Sequence, residues 1–410
     1  MREDWIECTF ADVIDIISGK NQKNVVDRNG KYPIYGSGGI MGRANDYLCE
    51  SGTTIIGRKG TINSPIYVKE RFWNVDTAFG FYPFSILNNR LLYFFCIYFN
   101  FKALDKSTTI PSLAKRDLLQ IAFPLPPIPI QKAIVNKIEE LFSSLDSGIA
   151  DLKKAQDQLV IYRQAVLKKA FEGECFVDAK KHKLKNITSK IGSGSTPKGG
   201  QANYKESGIP LVRSLNVHFD YIKYEGLAFI DENQAEKLKN VIIQEGDVLL
   251  NITGASIGRV NIAPKEFENG RVNQHVSIIR PKNNIFNTKF LKLYLQSSKV
   301  QNWIDNVNVG ATRQGLTKSA LENLEIPVPS LKEQHQIVRE IESRLSVCDK
   351  VEESLTESLE KSQALRQSIL KKAFEGKLLS EEEIANCKAS PDYEPASVLL
   401  AKIKAEKKKK

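Results

Sequence analysis

The sequence predicts an α+β protein made of two diverged copies of one unit, each a globular, strand-rich block followed by a long helix. Three observations predict it. The heptapeptide LKKAFEG stands at Leu167–Gly173 and again at Leu370–Gly376, 203 residues later, and the same offset carries Arg163 onto Arg366, Ile134 onto Ile337 and Pro124 onto Pro327. Upstream of each heptapeptide, apolar residues recur at alternating three- and four-residue steps, the spacing of a helix that pairs with another. Between the helical stretches lie short apolar runs broken by glycine and serine turns, as in a strand-rich fold.

The first block covers residues 1–125. Trp5 to Ile17 reads as an edge segment, and Gly30 to Tyr47 and Ser51 to Val68 as strands around glycine loops. Residues 86–101 read as a helix; their most apolar run, Leu91 to Phe101, is too short to span a membrane. The proline-rich stretch 125–130 (LPPIPI) reads as an extended connector, since proline lacks the amide donor and clashes with the preceding turn. The first helical region, 126–174, therefore begins its helix after these prolines and ends at Gly173, which can take a left-handed cap.

The second block, 175–326, repeats the manner of the first. Ile209 to Val217 is strand-like, Gln244 to Val260 is strand, glycine loop and strand, and residues 288–304 read as helix. Val272 to His275 takes the place of Val75 to Ala78, and the 203 offset lands Leu113 on Leu316 and Leu118 on Leu321. The two blocks thus read as versions of one fold. A second helical region follows at 327–378, then a polar appendix at 379–410. The appendix holds a short helix near Pro395 to Glu406, with Ala401 and Ile403 as its weakly apolar side, and a solvated lysine tail.

The helical seam of the first copy is Ile134, Ile138, Leu141, Leu145, Leu152, Leu159, Tyr162 and Val166. That of the second is Ile337, Ile341, Cys348, Val351, Leu355, Leu365 and Ile369, interrupted by Arg344, Ser358 and Ser362. Each run of about 40 residues makes a helix of roughly 60 Å. Isolated helices gain little from an apolar face, so two seams of equal length are expected to pair with each other as an antiparallel coiled coil.

The chain has 410 residues, is 41% hydrophobic and carries a net charge of +11, which favours a polyanionic partner. The six cysteines are scattered without C-x-x-C spacing and read as reduced thiols in a cytoplasmic protein; the N-terminus shows no signal-peptide pattern. No glycine-rich nucleotide loop, Walker lysine motif or carboxylate cluster is present, so no catalytic, cofactor or metal site is assigned. Two related basic blocks at fixed spacing suit double-stranded DNA, whose sites recur on one face with each helical turn. The exposed loop candidates for base contact are Arg58, Lys59 and Asn63 in the first block. In the second they are Arg213, Asn216, Asn251, Arg259, Gln274, Arg313 and Gln314.

Variable block, proline-bracketed connector and long helix, repeated once, resembles the DNA-specificity subunit of type I restriction–modification systems. The second copy carries Pro327, Pro329, Leu331, Glu333-Gln334 and Ile337-Val338; the first keeps Pro124, Pro126, Ile128, Gln131 and Ile134-Val135 but has Ile130 where the family usually has glutamate. Both keep the helix-ending run, Arg163 to Gly173 and Arg366 to Gly376. In the blocks, Gly194 to Pro197, Gly208 to Pro210, Gly254 to Gly258, Tyr32 to Ile34 and Gly57 to Gly60 are similar to the family's turns and strands. The resemblance implies two target-recognition domains, each reading half of a split DNA sequence through the major groove, with the paired helices setting the spacer. It also implies that the helices dock two modification subunits, which bind S-adenosylmethionine, and that restriction subunits using ATP and Mg²⁺ join them. This chain itself would be non-catalytic. The competing expectation is a coiled-coil scaffold with no preference for DNA sequence.

Overall fold

The computed structural model describes residues 2–172, 179–197, 199–308 and 315–409. It divides into two compact units: Met1–Leu152 with Glu357–Lys410, and Lys153–Thr356. Each unit therefore holds one block, half of its own long helix and half of the other.

In the first unit, Thr53–Gly57 is a central strand of β-branched residues, buried throughout. It lies between Ala78–Pro83 and Ile66–Val68, and Ile14–Ser18 adds an edge beyond Ala78–Pro83, all antiparallel. A smaller sheet places Tyr32–Gly36 between Gly39–Ala44 and Trp73–Asn74, the last pairing being parallel. Ile6–Thr9 pairs with Ala122–Leu125 and so closes the block where its chain enters and leaves. The helix expected at 86–101 is shorter, Asn89–Tyr98, with Phe101 opening a separate 3-10 turn; it is capped by the Asn88 side chain, which accepts from the amides of Arg90 and Leu91. Its buried Phe95 meets Phe10, Phe123 and Phe374 at centroid distances of 5.4, 4.8 and 5.1 Å.

The second unit repeats this topology. Thr188–Ser193, Val276–Pro281, Val248–Asn251 and Val260–Ile262 form the four-stranded sheet in the corresponding order. Ile209–Val212 sits between Ala228–Ile230 and Arg271–Val272, and Lys181–Lys183 pairs with Glu325–Pro327. The equivalence corrects one register. Val75 donates its amide to Tyr35 O at 3.0 Å and Asn273 donates to Val212 O at 3.1 Å, so Val75 corresponds to Asn273, one residue from the match to Val272 expected above. The valine identity misled, because strand pairing sets the register. The helical stretch expected at 288–304 is two helices, Thr288–Gln296 and Ser298–Asn308.

The first long helix runs over Ile128–Glu172 and the second over Leu331–Phe374. The first begins inside the stretch expected to be a connector, with Pro129 in its opening turn. Proline is tolerated there because first-turn amides have no partner within the helix. The second opens on a capping box in which Glu333 accepts from the Ser330 amide at 2.8 Å. It ends in a Schellman motif: Lys377 N–H bonds Lys372 O at 2.8 Å and Gly376 N–H bonds Ala373 O at 3.2 Å, with Gly376 at φ +75°. Gly173 lies outside the described residues.

A buried glutamine fixes each block to its helix. Gln131 Oε1 accepts from Asn88 N at 2.8 Å, while its Nε2 donates to Ile86 O and Pro126 O, both at 2.8 Å. Gln334, 203 residues on, repeats all three bonds with Asn287 N (2.8 Å), Ile285 O (3.1 Å) and Pro329 O (2.9 Å).

Within each unit the helix halves are antiparallel, the start of one beside the end of the other. In the second unit Arg163 donates to Asp349 at 2.6 Å and Glu352 at 2.9 Å. In the first, Arg366 pairs with Asp146 and lies 4.9 Å over the Phe142 ring. Both partners of one pair are 203 residues from those of the other. Burial pulls the Arg163 pKa down, but Asp349 and Glu352 outweigh it and the net shift is upward. The seam is buried near the blocks at Ile134, Ile138, Val166, Ile337, Ile341, Cys348 and Ile369. It is half-buried at Leu141, Leu145, Leu152, Leu159 and Leu355. Tyr162, Val351 and Leu365, expected within the seam, are exposed. A 3.6-residue helix drifts about 20° per heptad against a 3.5-residue pattern, so a strict heptad list leaves the contact line over such a length.

The appendix forms two helices, the second of them at Ala396–Lys409, where a helix near Pro395 to Glu406 is expected. Helices Glu381–Lys388 and Ala396–Lys409 bury Ile384, Ala396, Leu399, Leu400 and Ile403 in the first unit's core. Ala401, expected on the apolar side, faces outward. Arg2 makes a two-bond pair with Glu381 at 2.9 and 3.1 Å, and Lys404 reaches Asp12 at 3.2 Å. Among the described residues all five cysteines are free, and burial pushes the thiols of Cys8 and Cys49 up to about 12.

Replacing Gln131 or Gln334 with leucine strands one amide and two carbonyls at a junction. The expected cost is roughly 2–3 kcal/mol, since each unpaired buried group costs about 1–3 kcal/mol. Denaturant titration followed by tryptophan fluorescence checks it, and an unchanged midpoint for both variants refutes the clamp.

Candidate nucleic-acid interface

Each block holds a loop after its central strand whose backbone is tied on both sides. In the first unit the amides of Arg58 and Lys59 donate to Thr77 O at 2.8 and 3.1 Å, and Arg58 O accepts from Leu113 N at 2.9 Å. Lys59 bridges Ser112, and Gly60 turns the chain at φ +80°. In the second unit Ile252 N donates to His275 O at 2.9 Å, Ile252 O accepts from Leu316 N at 2.8 Å, and Thr253 bridges Gly315. Gly254 turns the chain at φ +74°, a conformation glycine adopts without a Cβ penalty. Ser112 and Gly315 are again 203 residues apart, so the two loops occupy one place in the fold.

The side chains on these matched backbones differ. In the first unit Arg58 and Lys59 both project to solvent, Arg58 lying 5.7 Å over the Phe79 ring. Asn63 is also exposed, but its Oδ1 accepts from Phe101 N at 2.7 Å and so holds a neighbouring loop. In the second unit Ile252 and Thr253 stand where the first has Arg58 and Lys59. Arg259 arrives instead from the far side of the glycine loop. It lines an open cleft of about 900 Å³ with Ser214, Thr253, Ser256 and His275, and its Nη1 lies 3.4 Å from His218 Nδ1.

Exposed Gln274 belongs to a chain of polar contacts beside this cleft. Its Oε1 accepts from Thr196 Oγ1, and its Nε2 lies 3.0 Å from His275 Nε2, while His275 Nδ1 meets Thr253 Oγ1. Thr196, Thr253, Ser256 and His275 escaped the sequence reading. The glycines Gly254 and Gly258 mark the turn that carries Ser256 and follows Thr253, whereas Thr196 and His275 come from other loops and carry no such signal.

Two expectations need correction. Asn216 and Asn251, expected as exposed loop residues, are fully buried. Asn216 accepts from Arg213 N at 3.0 Å and donates to Lys223 O at 2.8 Å, pinning its own turn. Asn251 donates to Ser214 O at 2.9 Å and Val217 O at 3.3 Å, holding that turn against the central strand. Their amides satisfy backbone groups that burial would otherwise leave unpaired. Arg213 is half-buried, bonded to Gly226 O and 5.1 Å over the Tyr204 ring. Arg313 and Gln314 lie outside the described residues.

Residues 2–155 and 176–361 each match the family described as the type I restriction modification DNA specificity domain. The chain belongs to this family. Its two matched segments each span one block and the opening part of a long helix, so the specificity domain occurs here twice. The chain is 30% identical over 322 residues to the EcoBI specificity subunit of Escherichia coli, covering 73% of this chain and 68% of that one. Identity to the EcoDI specificity subunit of the same species is 24%, over 98% of this chain and 95% of the other. A solved chain from a study of type I R-M complex assembly and conformational transition superposes with a TM-score of 0.72 at 18% identity. It covers 92% of this specificity-family chain and 99% of its own length, which places the whole repeat in a known fold. Family membership decides for DNA recognition over the scaffold expectation. No helix in the described residues is long and apolar enough to cross a membrane.

Asn251→Leu removes the amide that holds the turn at Ser214 to Val217. Faster hydrogen exchange at this turn, with a stability loss of roughly 1–3 kcal/mol, is expected. Exchange as slow as in the parent protein refutes the role.

Proposed function

We propose that this chain is the non-catalytic reading subunit of a type I restriction–modification complex and that it works in the cytoplasm. Each block reads one half of a bipartite duplex target through the major groove, and the length of the helix pair fixes the number of unread bases between the halves. The observation that carries this reading is the repeated loop: one backbone frame, held in both blocks by the same two amide–carbonyl bonds and the same bridge, bears different side chains in each. In the first block Arg58 and Lys59 are the base-contact candidates. In the second they are Arg259 and Gln274. Asn63, Arg213, Asn216 and Asn251 shape the surfaces around them. Arginine takes guanine O6 and N7 with two bonds, and the remaining basic residues hold phosphates. Two modification subunits dock on the helices and bring S-adenosylmethionine; restriction subunits bring the ATP- and Mg²⁺-dependent steps.

Selection from a randomised duplex library, with the chain co-expressed with its modification subunit, tests the reading. Two fixed half-sites around a constant gap are expected; recovery of unselected sequence by an intact complex refutes it. Arg58→Ala should relax one position of one half-site and Arg259→Ala one position of the other, each by about 1–3 kcal/mol of discrimination. Adding a heptad to both helices adds ~10 Å and should widen the gap by about three base pairs, leaving both half-sites unchanged. An unchanged gap defeats the ruler.

A further inference from the structure

Among the described residues of the first block, four large apolar side chains stand exposed: Val26 at 56%, Ile40 at 67%, Met41 at 62% and Ile110 at 62%. Scattered singly, such side chains need no explanation. Three of these four flank one loop, the loop that carries Arg58 and Lys59. Ile110 precedes Pro111, whose carbonyl accepts from Gly60 N at 2.9 Å. Ile40 and Met41 come from a second element, the hairpin of Tyr32–Gly36 and Gly39–Ala44. Its turn residue Ser37 lies against the same loop. A Cβ on Gly57 would stand 3.1 Å from Ser37 Cβ, and one on Gly60 3.8 Å from Ser37 Oγ.

The hairpin tip has the form of a groove reader. Trp73–Asn74 pairs with the hairpin only at Ile34 and Tyr35, so from Gly36 to Met41 it is a ribbon of two strands. The major groove of a duplex, about 12 Å wide, admits a ribbon of that kind. At the tip, Gly38 has no left-handed φ, and a side chain there would meet nothing within 4 Å. The fold makes no demand for glycine at this position, whereas close approach to a ligand does. Behind the tip the Met41 sulfur rests over Gly36, where an added Cβ would fall 2.5 Å from it. The second block repeats the placement. Val212 corresponds to Tyr35, and the turn that follows it sets Leu215, 39% exposed, in the cleft with Arg259.

An occupant of this surface must satisfy two cations and an apolar pair side by side. A duplex does so in its major groove, where the thymine 5-methyl is the apolar group among hydrogen-bonding base edges. We propose that Ile40 and Met41 determine specificity by packing on the 5-methyl group of a thymine, beside the bases that Arg58 and Lys59 reach. The inference rests on the DNA-reading proposal above and adds a base to it. The half-site of the first block contains a T·A pair at this contact, read by apolar packing and not by a hydrogen bond.

The test is library selection with the complex of full chain and modification subunit, for the parent and for Ile40→Ala/Met41→Ala. Val26→Ala is the control, since Val26 bridges Ala44 at the far end of the hairpin strand. All three side chains are exposed, and thermal melting followed by circular dichroism verifies each fold. The double variant is expected to lose its preference for one T·A pair in one half-site and to keep the other half-site; Val26→Ala should change neither. Binding to the parent's selected duplex is then measured with deoxyuridine, which lacks the 5-methyl group, replacing each thymine in turn. One replacement should weaken the parent complex about fourfold, the size of one buried methyl group, and leave the double variant's affinity unchanged. A double variant that selects the parent's half-sites overturns the inference, as does a parent complex indifferent to every deoxyuridine. A double variant that binds all duplexes more weakly with its thymine preference intact also overturns it, by making the hairpin a sequence-independent contact. Selection of no half-site by the parent complex overturns the DNA-reading proposal itself, and the inference with it.

Discussion

The structure depends on one amide used twice. A block that reads a polymer at a set spacing must be rigid against the element that sets the spacing, and a loop draped over a helix N-terminus would not be. Gln131 and Gln334 solve this by sitting almost wholly buried at the junction and satisfying three backbone groups each. The proline-rich entry matters for the same reason. Pro126 and Pro329 offer carbonyls that no intrahelical amide claims, and the glutamine, one turn inside its helix, returns to take them. The block, the connector and the helix are therefore fixed at one point, and leaving that point unpaired is costly in a low-dielectric interior.

The antiparallel helices obey a second constraint. An internal repeat that pairs with itself in antiparallel can use one contact twice, with roles exchanged. Arg163 with Asp349 and Arg366 with Asp146 are such a pair, although the second partner of Arg163, Glu352, has Ile149 as its counterpart. These pairs are largely exposed on their acidic side, so their contribution to stability is modest. Their use lies in register, since a slip by one turn separates both pairs at once. Burial is concentrated where each helix half meets a block, and the intervening leucines are only half covered.

Much of this was legible in the sequence because a repeat reports on tertiary structure directly. The 203-residue offset exposed the two blocks, the two helices and their pairing, for two copies of one fold must keep the residues that define its junctions. Individual side chains were harder to read. Asn216 and Asn251 looked like base readers because asparagine in a glycine-rich turn serves equally well as a surface donor or as a buried bond to the backbone. Only the neighbouring chain decides between the two. Tyr162, Val351 and Leu365 were misplaced because a strict seven-residue count drifts against a helix of 3.6 residues per turn, and the three side chains are exposed. The appendix was legible only in part: its last helix and the inward Ile403 were expected, but Ile384, Leu399 and Leu400 are few and spread among lysines and glutamates, yet reach the same core.

The two blocks differ most where the frame is most alike. The loops at Arg58 and Ile252 share their carbonyl partners, their bridge and their left-handed glycine, so the backbone exerts little selection on which side chains they carry. One loop projects an arginine and a lysine; the other withdraws an isoleucine into the core and lets Arg259 enter from across the cleft. A frame held by backbone bonds can exchange its reading side chains without loss of fold. Different half-sites can then be read from one architecture, while the glutamine junctions and the helix register, which every copy requires, stay as they are.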